Sequence, residues 1–366
     1  MSRVIIVGCG IVGAAIAYEL SKDPSLKITV LDKQEPAQGA TGAALGVLMG
    51  IISQKVKGKA WQLRQSSMTR YETLIPELEE KTGHKIPFNR QGILMLCFAS
   101  ESVDNWSHLV ATRHQQGYDL EIWDKEKIRD RCPHLKVENT IAGIYSPQDR
   151  QLDPTLLTLA LVEAAKQNGV EFQFNVNVLD TTPKSLSTGD YVIKTTIGNL
   201  KCDWVVVAAG LGSTPLTSSL NESIDIRPVL GQALHLRLEK PLGNPDFQPV
   251  ITGNDVHIVP YLNPSSPILE YWLGATVEFP QNGIEMLAQQ ERLEEVLKDA
   301  IAFCPALSEA KIIKTWSGLR PRPEGRPAPV IGQLPGHENI LIATGHYRNG
   351  ILLAPATAKA ICDAIL

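Results

Sequence analysis

Apolar positions along this chain change period several times, and each change marks an element. Val4–Val7 is a short β-branched run, Ile11–Ser21 carries Ala and Leu at helical spacing, and Lys27–Leu31 is again strand-like. Together they predict a β-α-β unit. A loop of Gly, Ala and Thr spans Gly39 to Gly46. A helix is expected over about Ala60–Lys81, with Leu63, Met68, Tyr71, Leu74, Ile75 and Leu78 on its inner side. Near Ile86 the pattern shifts to strand-like pieces (Gly92–Cys97, Ile141–Tyr145) and an exposed helix around Val103–His114. Asp153 before Pro154 reads as an N-cap with proline at the first helical position, opening a helix to Asn168. Strands Glu171–Leu179, Tyr191–Thr196 and Trp204–Ala208 are expected to return to the first module. Ile226 to Trp316 predicts antiparallel strands with one amphipathic helix from Ile284 to about Phe303. A strand Asn339–Ala343, a tight loop and a helix from about Pro355 to Leu366 close the chain.

At 366 residues the chain suits two domains, and the alternation of patterns implies two modules that interleave. Hydrophobic residues at 43% and charged residues at 20% are ordinary for a globular protein. A net charge of −4 with no basic cluster argues against a nucleic-acid or anionic-membrane partner. Six cysteines without CxxC pairing argue against a metal site or a disulfide framework and for a reducing compartment. No run reaches the roughly 20 apolar residues of a membrane span. The apolar first twenty residues are interrupted by three glycines, which suits a folded strand and helix better than a secretory segment. The expectation is a cytoplasmic protein, with a homo-oligomer left open.

Gly8-Cys9-Gly10-Ile11-Val12-Gly13 is a GxGxxG placed between strand and helix. Gly8 permits the tight turn, Gly10 admits a pyrophosphate close to the backbone, and Gly13 lets helix and strand pack. The helix N-terminus supplies free N–H groups and partial positive charge. Asp32, at the end of the second strand, is placed to accept from ribose hydroxyls, which disfavours a 2′-phosphate. Cys9 reads as a small buried residue rather than a nucleophile. The fingerprint leaves NAD and FAD both open. Gly39-Ala40-Thr41-Gly42-Ala43-Ala44-Leu45-Gly46 has almost no side chains, which suits backbone laid along an extended cofactor, and apolar Val47, Leu48 and Met49 follow at once.

The most specific stretch is ATGHYRNGILLAP, from Ala343 to Pro355. With GCGIVGAAIAYEL, ATGAALGVL and SGLRP followed by VIG, it resembles the D-amino-acid oxidase family, and its glycine-oxidase branch most closely, over nearly the whole chain. The resemblance implies an α/β fold: a Rossmann-like FAD-binding domain (residues 1–85, 146–225 and 316–366) interleaved with an α+β substrate domain on an antiparallel sheet (86–145 and 226–315). It implies FAD contacts at Ile11, Val12, Asp32, Lys33, Ala40, Thr41, Leu45, Gly46, Val47 and Val178, beside the fingerprint's Gly8, Gly10 and Gly13 and a further candidate, Gly210. The closing loop His346, Tyr347, Arg348, Asn349, Gly350, Ile351 and Leu352 would lie under the flavin. Arg320 matches the arginine that pairs with a substrate carboxylate, and Arg348 a second substrate contact. No metal is implied.

The implied reaction is oxidative deamination of glycine, sarcosine or a small D-amino acid. Hydride passes to flavin N5, and oxygen then gives hydrogen peroxide, an oxo acid and ammonia or amine. A place in thiamine biosynthesis follows from the same resemblance. No cysteine occurs in Lys311–Asn339, which favours non-covalent FAD. His257 and Asp255 stand where the branch carries tyrosine and histidine, so the substrate is left open; Asp32 stands where most relatives have Glu.

Read without the resemblance, Arg320, Arg322 and Arg326 are equally solvated loop charges, and Arg348 is equally a structural arginine. His257 is open between substrate contact, flavin tuning and strand packing, and Tyr261 and Tyr347 between pocket closure and core. Three rival functions remain: a dehydrogenase passing electrons to a quinone or carrier, an NAD-dependent dehydrogenase, and a non-catalytic flavin-binding protein.

Overall fold

The computed structural model describes residues 1–98, 103–182, 191–262, 267–280 and 286–366. Its first module is a six-stranded sheet ordered Val330–Gln333, Ile340–Thr344, Trp204–Val207, Ser2–Val7, Leu26–Leu31, Glu171–Gln173. All neighbours are parallel except the first pair. Parallel strands buried on both faces read as continuous apolar runs, which is why Val4 to Val7 and Ile340 to Ala343 show no alternation. The helices Ile11–Leu20, Pro154–Gln167 and Gly350–Ile365 cover one face, with Gly58–Thr82 packed behind them. Ala14, Ala15 and Ala17 keep the first helix thin enough to be buried on almost every side.

The second module is an eight-stranded sheet ordered Lys311–Pro323, Ile226–Arg237, Glu270–Gly274, Val256–Pro260, Val250–Gly253, Ile93–Phe98, Thr140–Ser146, Glu121–Trp123. Leu234, Leu236, Ile258 and Leu273 face a core closed by Leu293, Val296, Ala300 and Phe303 of the helix Gln290–Phe303. The long strand Lys311–Pro323 pairs with Ile226–Arg237 along nearly its whole length and runs on towards the first sheet. There Gly318 packs so closely on Ala43 that an added Cβ would lie 2.3 Å from the Ala43 methyl. Trp316 Nε1 donates to the Ala43 carbonyl at 3.1 Å, fastening the two modules beside the same loop.

Three local expectations are corrected. The run Glu171–Leu179 is two strands, because Asn175 takes a left-handed turn (φ 59°) between Glu171–Gln173 and Val178–Thr182. Val178–Thr182 pairs with Tyr191–Thr195 in a separate three-stranded sheet, whose Tyr191 and Ile193 share a core with Ile5, Val7 and Val205 of the first one. Within the second sheet Val250–Gly253 runs parallel to Ile93–Phe98, the chain having left the sheet between them. The last helix starts at Gly350 and passes through Pro355. Proline lacks the N–H that would reach the Ile351 carbonyl four residues back. The Tyr71 hydroxyl donates to that carbonyl instead, so the helix continues without an orphaned acceptor. The expected start of the amphipathic helix, Ile284, lies outside the described residues; the described helix begins at Gln290.

Candidate functional site

A cavity of about 1270 Å³ opens between the modules, beyond the roughly 300–1,000 Å³ of ordinary small-molecule pockets. One end is built by the turn from the first strand into the first helix. Gly8 has φ +107°, and a Cβ there would meet the Ala208 carbonyl oxygen at 2.4 Å. Gly13 does not line the cavity; a Cβ on it would lie 1.9 Å from the Gly8 oxygen, so its role is helix-to-strand contact. Ile11 N–H donates to Thr41 Oγ1 at 3.0 Å, while the N–H groups of Val12 and Gly13 have no acceptor among the described residues. These are free donors at a helix N-terminus without an acidic residue in its first turn, an arrangement suited to phosphate oxygens.

Asp32 faces the same end. Its Oδ2 accepts from Cys9 N–H at 2.5 Å and its Oδ1 from Gln34 N–H at 2.9 Å. Two backbone donors fix the carboxylate while lone pairs remain for vicinal hydroxyls. Lys33, Ala40, Thr41, Leu45, Gly46, Val47, Val178 and Gly210 line the cavity beside Gly10, Ile11 and Val12. Burial pushes the Cys9 thiol pKa far up, so it stays protonated.

At the other end the closing loop contributes His346, Tyr347, Arg348, Asn349, Gly350 and Ile351; Leu352 points into the core instead. Tyr347 holds φ at 54°, a conformation that costs a non-glycine residue about 1–3 kcal/mol and is typical of ligand sites. His346 is buried, and burial holds its pKa down at about 4. Its Nε2 lies 2.9 Å from Thr357 Oγ1, whose own proton goes to the Leu353 carbonyl at 2.8 Å. The imidazole must therefore donate from Nε2.

Arg320 reaches the cavity from the strand Lys311–Pro323. Its Nη1 donates to the carbonyls of Leu230 (3.1 Å) and Thr276 (3.0 Å). The guanidinium lies directly over Gly231, whose absent side chain makes the room: a Cβ there would fall 2.2 to 2.4 Å from Nη1, Nη2 and Cζ. Burial, and then the Arg348 guanidinium, lower the Arg320 pKa. Two neighbouring guanidiniums lacking an ion pair with any described carboxylate form a site for an anion, and a planar fork suits a carboxylate. Arg322 is tied to Glu324 at 3.0 Å and Arg326 is exposed, which separates them from Arg320.

His257 lies across the strand pair from Thr252, brought there by a two-residue turn in which Asn254 and Asp255 both have positive φ. Its Nδ1 is 2.9 Å from Thr252 Oγ1. Burial, reinforced by Arg348 and Arg320 against an opposing Asp255, holds its pKa at about 4. It is a neutral imidazole in a positively charged neighbourhood. Tyr261 does not line the cavity; it packs on His235 and Trp272. Sequence reasoning missed Gly231 and Thr252, which only strand register reveals. It also missed the clamp on the loop following Met49. Asp149, fully buried, accepts N–H bonds from Gly50, Ile51 and Ile52 at 2.7 to 2.9 Å. Arg113 donates to the carbonyls of Ile51 (2.7 Å), Ser53 (2.6 Å) and Lys55 (3.0 Å).

Residues 3–364 match a family model described as FAD dependent oxidoreductase, DAO. The bifunctional protein ThiO/ThiG of Synechocystis is 33% identical over all of this chain, which spans 52% of that protein's length. Glycine oxidase of Bacillus subtilis is 30% identical, with 99% of this chain and 92% of that protein aligned. The crystal structure of glycine oxidase from Geobacillus kaustophilus superposes with a TM-score of 0.89 at 27% identity, covering 100% of this chain and 95% of that one.

Proposed function

This chain belongs to the DAO family of FAD-dependent oxidoreductases, and from that premise we propose that it oxidises an amine bearing a carboxylate, with oxygen as acceptor. Arg320 and Arg348 carry the reading: two guanidiniums share one end of the cavity, and neither forms an ion pair with a carboxylate among the described residues, Glu278 acting on Arg320 only from a distance. FAD is the cofactor of the family, and the residues present fit it. The first helix offers its N-terminus to the diphosphate and Asp32 its lone pairs to the ribose. The small residues of Gly39–Gly46 leave backbone free along the cavity. No cysteine among the described residues lines the cavity, which supports non-covalent binding. We assign the six-stranded sheet and its helices to the cofactor, and the eight-stranded sheet to the substrate.

When bound, the flavin supplies the acceptor for the hydride leaving the carbon next to the amine. This chain's residues do the rest. The Arg320 fork, aimed by the Leu230 and Thr276 carbonyls, sets the substrate carboxylate. Neutral His257 can accept from an ammonium or donate to an oxygen without adding charge. The start of the last helix places partial positive charge under the closing loop, where it favours developing negative charge. Oxygen as acceptor, and glycine, sarcosine or a small D-amino acid as substrate, are proposed from the glycine oxidases that align over nearly the full chain. A role in thiamine biosynthesis is proposed from the ThiO/ThiG relative alone.

Aerobic turnover tests the acceptor. Each amine should consume oxygen and release an equal amount of peroxide. Reduction of a quinone or dye with no peroxide would assign a dehydrogenase.

A further inference from the structure

Three guanidiniums among the described residues line the cavity, and the proposed reaction uses two of them. The third is Arg64, in the helix Gly58–Thr82, on the face that carries Ser67, Met68 and Tyr71 inward. The residue is 9% exposed. Its Nη1 donates to the Ala60 carbonyl of its own helix at 2.8 Å, and its buried Nε has no partner among the described residues. No carboxylate acts on it among the described residues. The charge it does meet is Arg113, of like sign. Arg113 also holds the nearby carbonyls of Ile51, Ser53 and Lys55 and stacks 3.8 Å from the Trp61 ring, so that side offers Arg64 nothing. An arginine remains charged even where burial lowers its pKa, and a buried cation is kept at a cost unless an anion meets it. The open side is the cavity.

We propose that Arg64 is a second anion subsite of this cavity, so that the preferred substrate is an amine carrying two anionic groups. Arg320 and Arg348 hold one carboxylate, and Arg64 receives the other. The inference rests on the reading of the site as an oxidase of carboxylate-bearing amines and adds the class of substrate: amino-dicarboxylates and N-carboxymethyl amino acids. Bidentate bonding through Nε and Nη2 satisfies the unpartnered donor and explains an arginine rather than a lysine here.

The test uses the holoenzyme and two unreactive probes, thiodiacetate and (methylthio)acetate, each titrated against the visible flavin spectrum. Thiodiacetate should bind at least tenfold more tightly. In Arg64→Met the gap should close, with (methylthio)acetate affinity and the FAD affinity of the apoprotein both within twofold of wild type. Arg64→Lys, which keeps the charge without the fork, should retain part of the gap. Equal binding of the probes to wild type, or a gap that survives Arg64→Met, overturns the subsite and leaves the Arg320 reading standing. Weaker FAD binding in Arg64→Met overturns it by assigning the cation to the cofactor's diphosphate. If neither probe binds to wild type, the carboxylate reading itself fails and the subsite with it.

Discussion

Replacing Gly231 with alanine should disable the carboxylate site while leaving the cofactor site whole. The strand backbone at Gly231 needs no left-handed conformation, and alanine in a strand interior is ordinarily preferred to glycine by about 0.5–1 kcal/mol. The obstacle is steric. The new methyl would sit 2.2 Å from Arg320 Nη1, 2.3 Å from Nη2 and 2.4 Å from Cζ. The flexible end of a side chain can retreat from such a clash, so the guanidinium moves and the strand does not. Moving it breaks the bonds to the Leu230 and Thr276 carbonyls that aim the fork. Losing one partner of a desolvated charge pair costs about 2–5 kcal/mol. Displacement rather than deletion belongs near the lower end, about 2–3 kcal/mol, or roughly 30- to 150-fold in affinity. Titration of an unreactive carboxylate against the flavin spectrum measures this directly, and kcat/KM should fall in parallel with FAD retained. Unchanged carboxylate affinity would refute the placement of Arg320 in the site. Loss of flavin would show that the strand, not the side chain, had yielded.

Three further outcomes follow from the same geometry. Gly13→Ala drives a methyl into the Gly8 carbonyl; the helix must lift from the strand, so the purified protein should lose its yellow colour and unfold at lower temperature, and a normal flavin content would contradict that. Tyr71→Phe strands the Ile351 carbonyl that Pro355 cannot serve, and urea unfolding should show a loss of about 1–3 kcal/mol, the cost of a buried unsatisfied acceptor. His346 is held neutral down to about pH 4 by burial, whereas an unfolded histidine takes its proton near pH 6.5. Between those values the unfolded state binds more protons, so stability falls as pH drops through that window and this contribution levels off below it. In His346→Gln the slope of unfolding free energy against pH near 5 should shrink by about one proton, and an unchanged slope would contradict the burial argument.

What could be read from the sequence follows how local its physics is. The GxGxxG turn, the helix after it and Asp32 are set by neighbours within one β-α-β unit, so spacing alone carries them. The capping of Pro154–Gln167 by Asp153 is equally local, and the Asp153 carboxylate accepts from Leu156 N–H as that pattern requires. Arg320 is different. Only the SGLRP resemblance marks it among Arg322 and Arg326; residue pattern alone does not, because its distinction is the register that lays it over Gly231, some ninety residues away. The start of the last helix was hidden for a similar reason: proline ordinarily opens a helix, and the hydroxyl that lets this one pass comes from Tyr71 on another helix. Tyr261 reads from the sequence equally as a pocket or a core residue, and only the fold shows its ring turned to His235 and Trp272. Arg64 and Arg113 fall within polar-looking positions of their helices, and only packing shows them buried.

The central claim is that the cavity brings a carboxylate-bearing amine to FAD. An anaerobic visible spectrum of the purified holoenzyme tests it most directly, recorded as glycine, sarcosine, small D-amino acids and amino-dicarboxylates are added, each beside the amine that lacks the carboxylate. The account predicts a yellow protein bleached by at least one carboxylate-bearing amine and unaffected by its carboxylate-free partner. A flavin that no amine reduces, or one reduced equally well without the carboxylate, would contradict it.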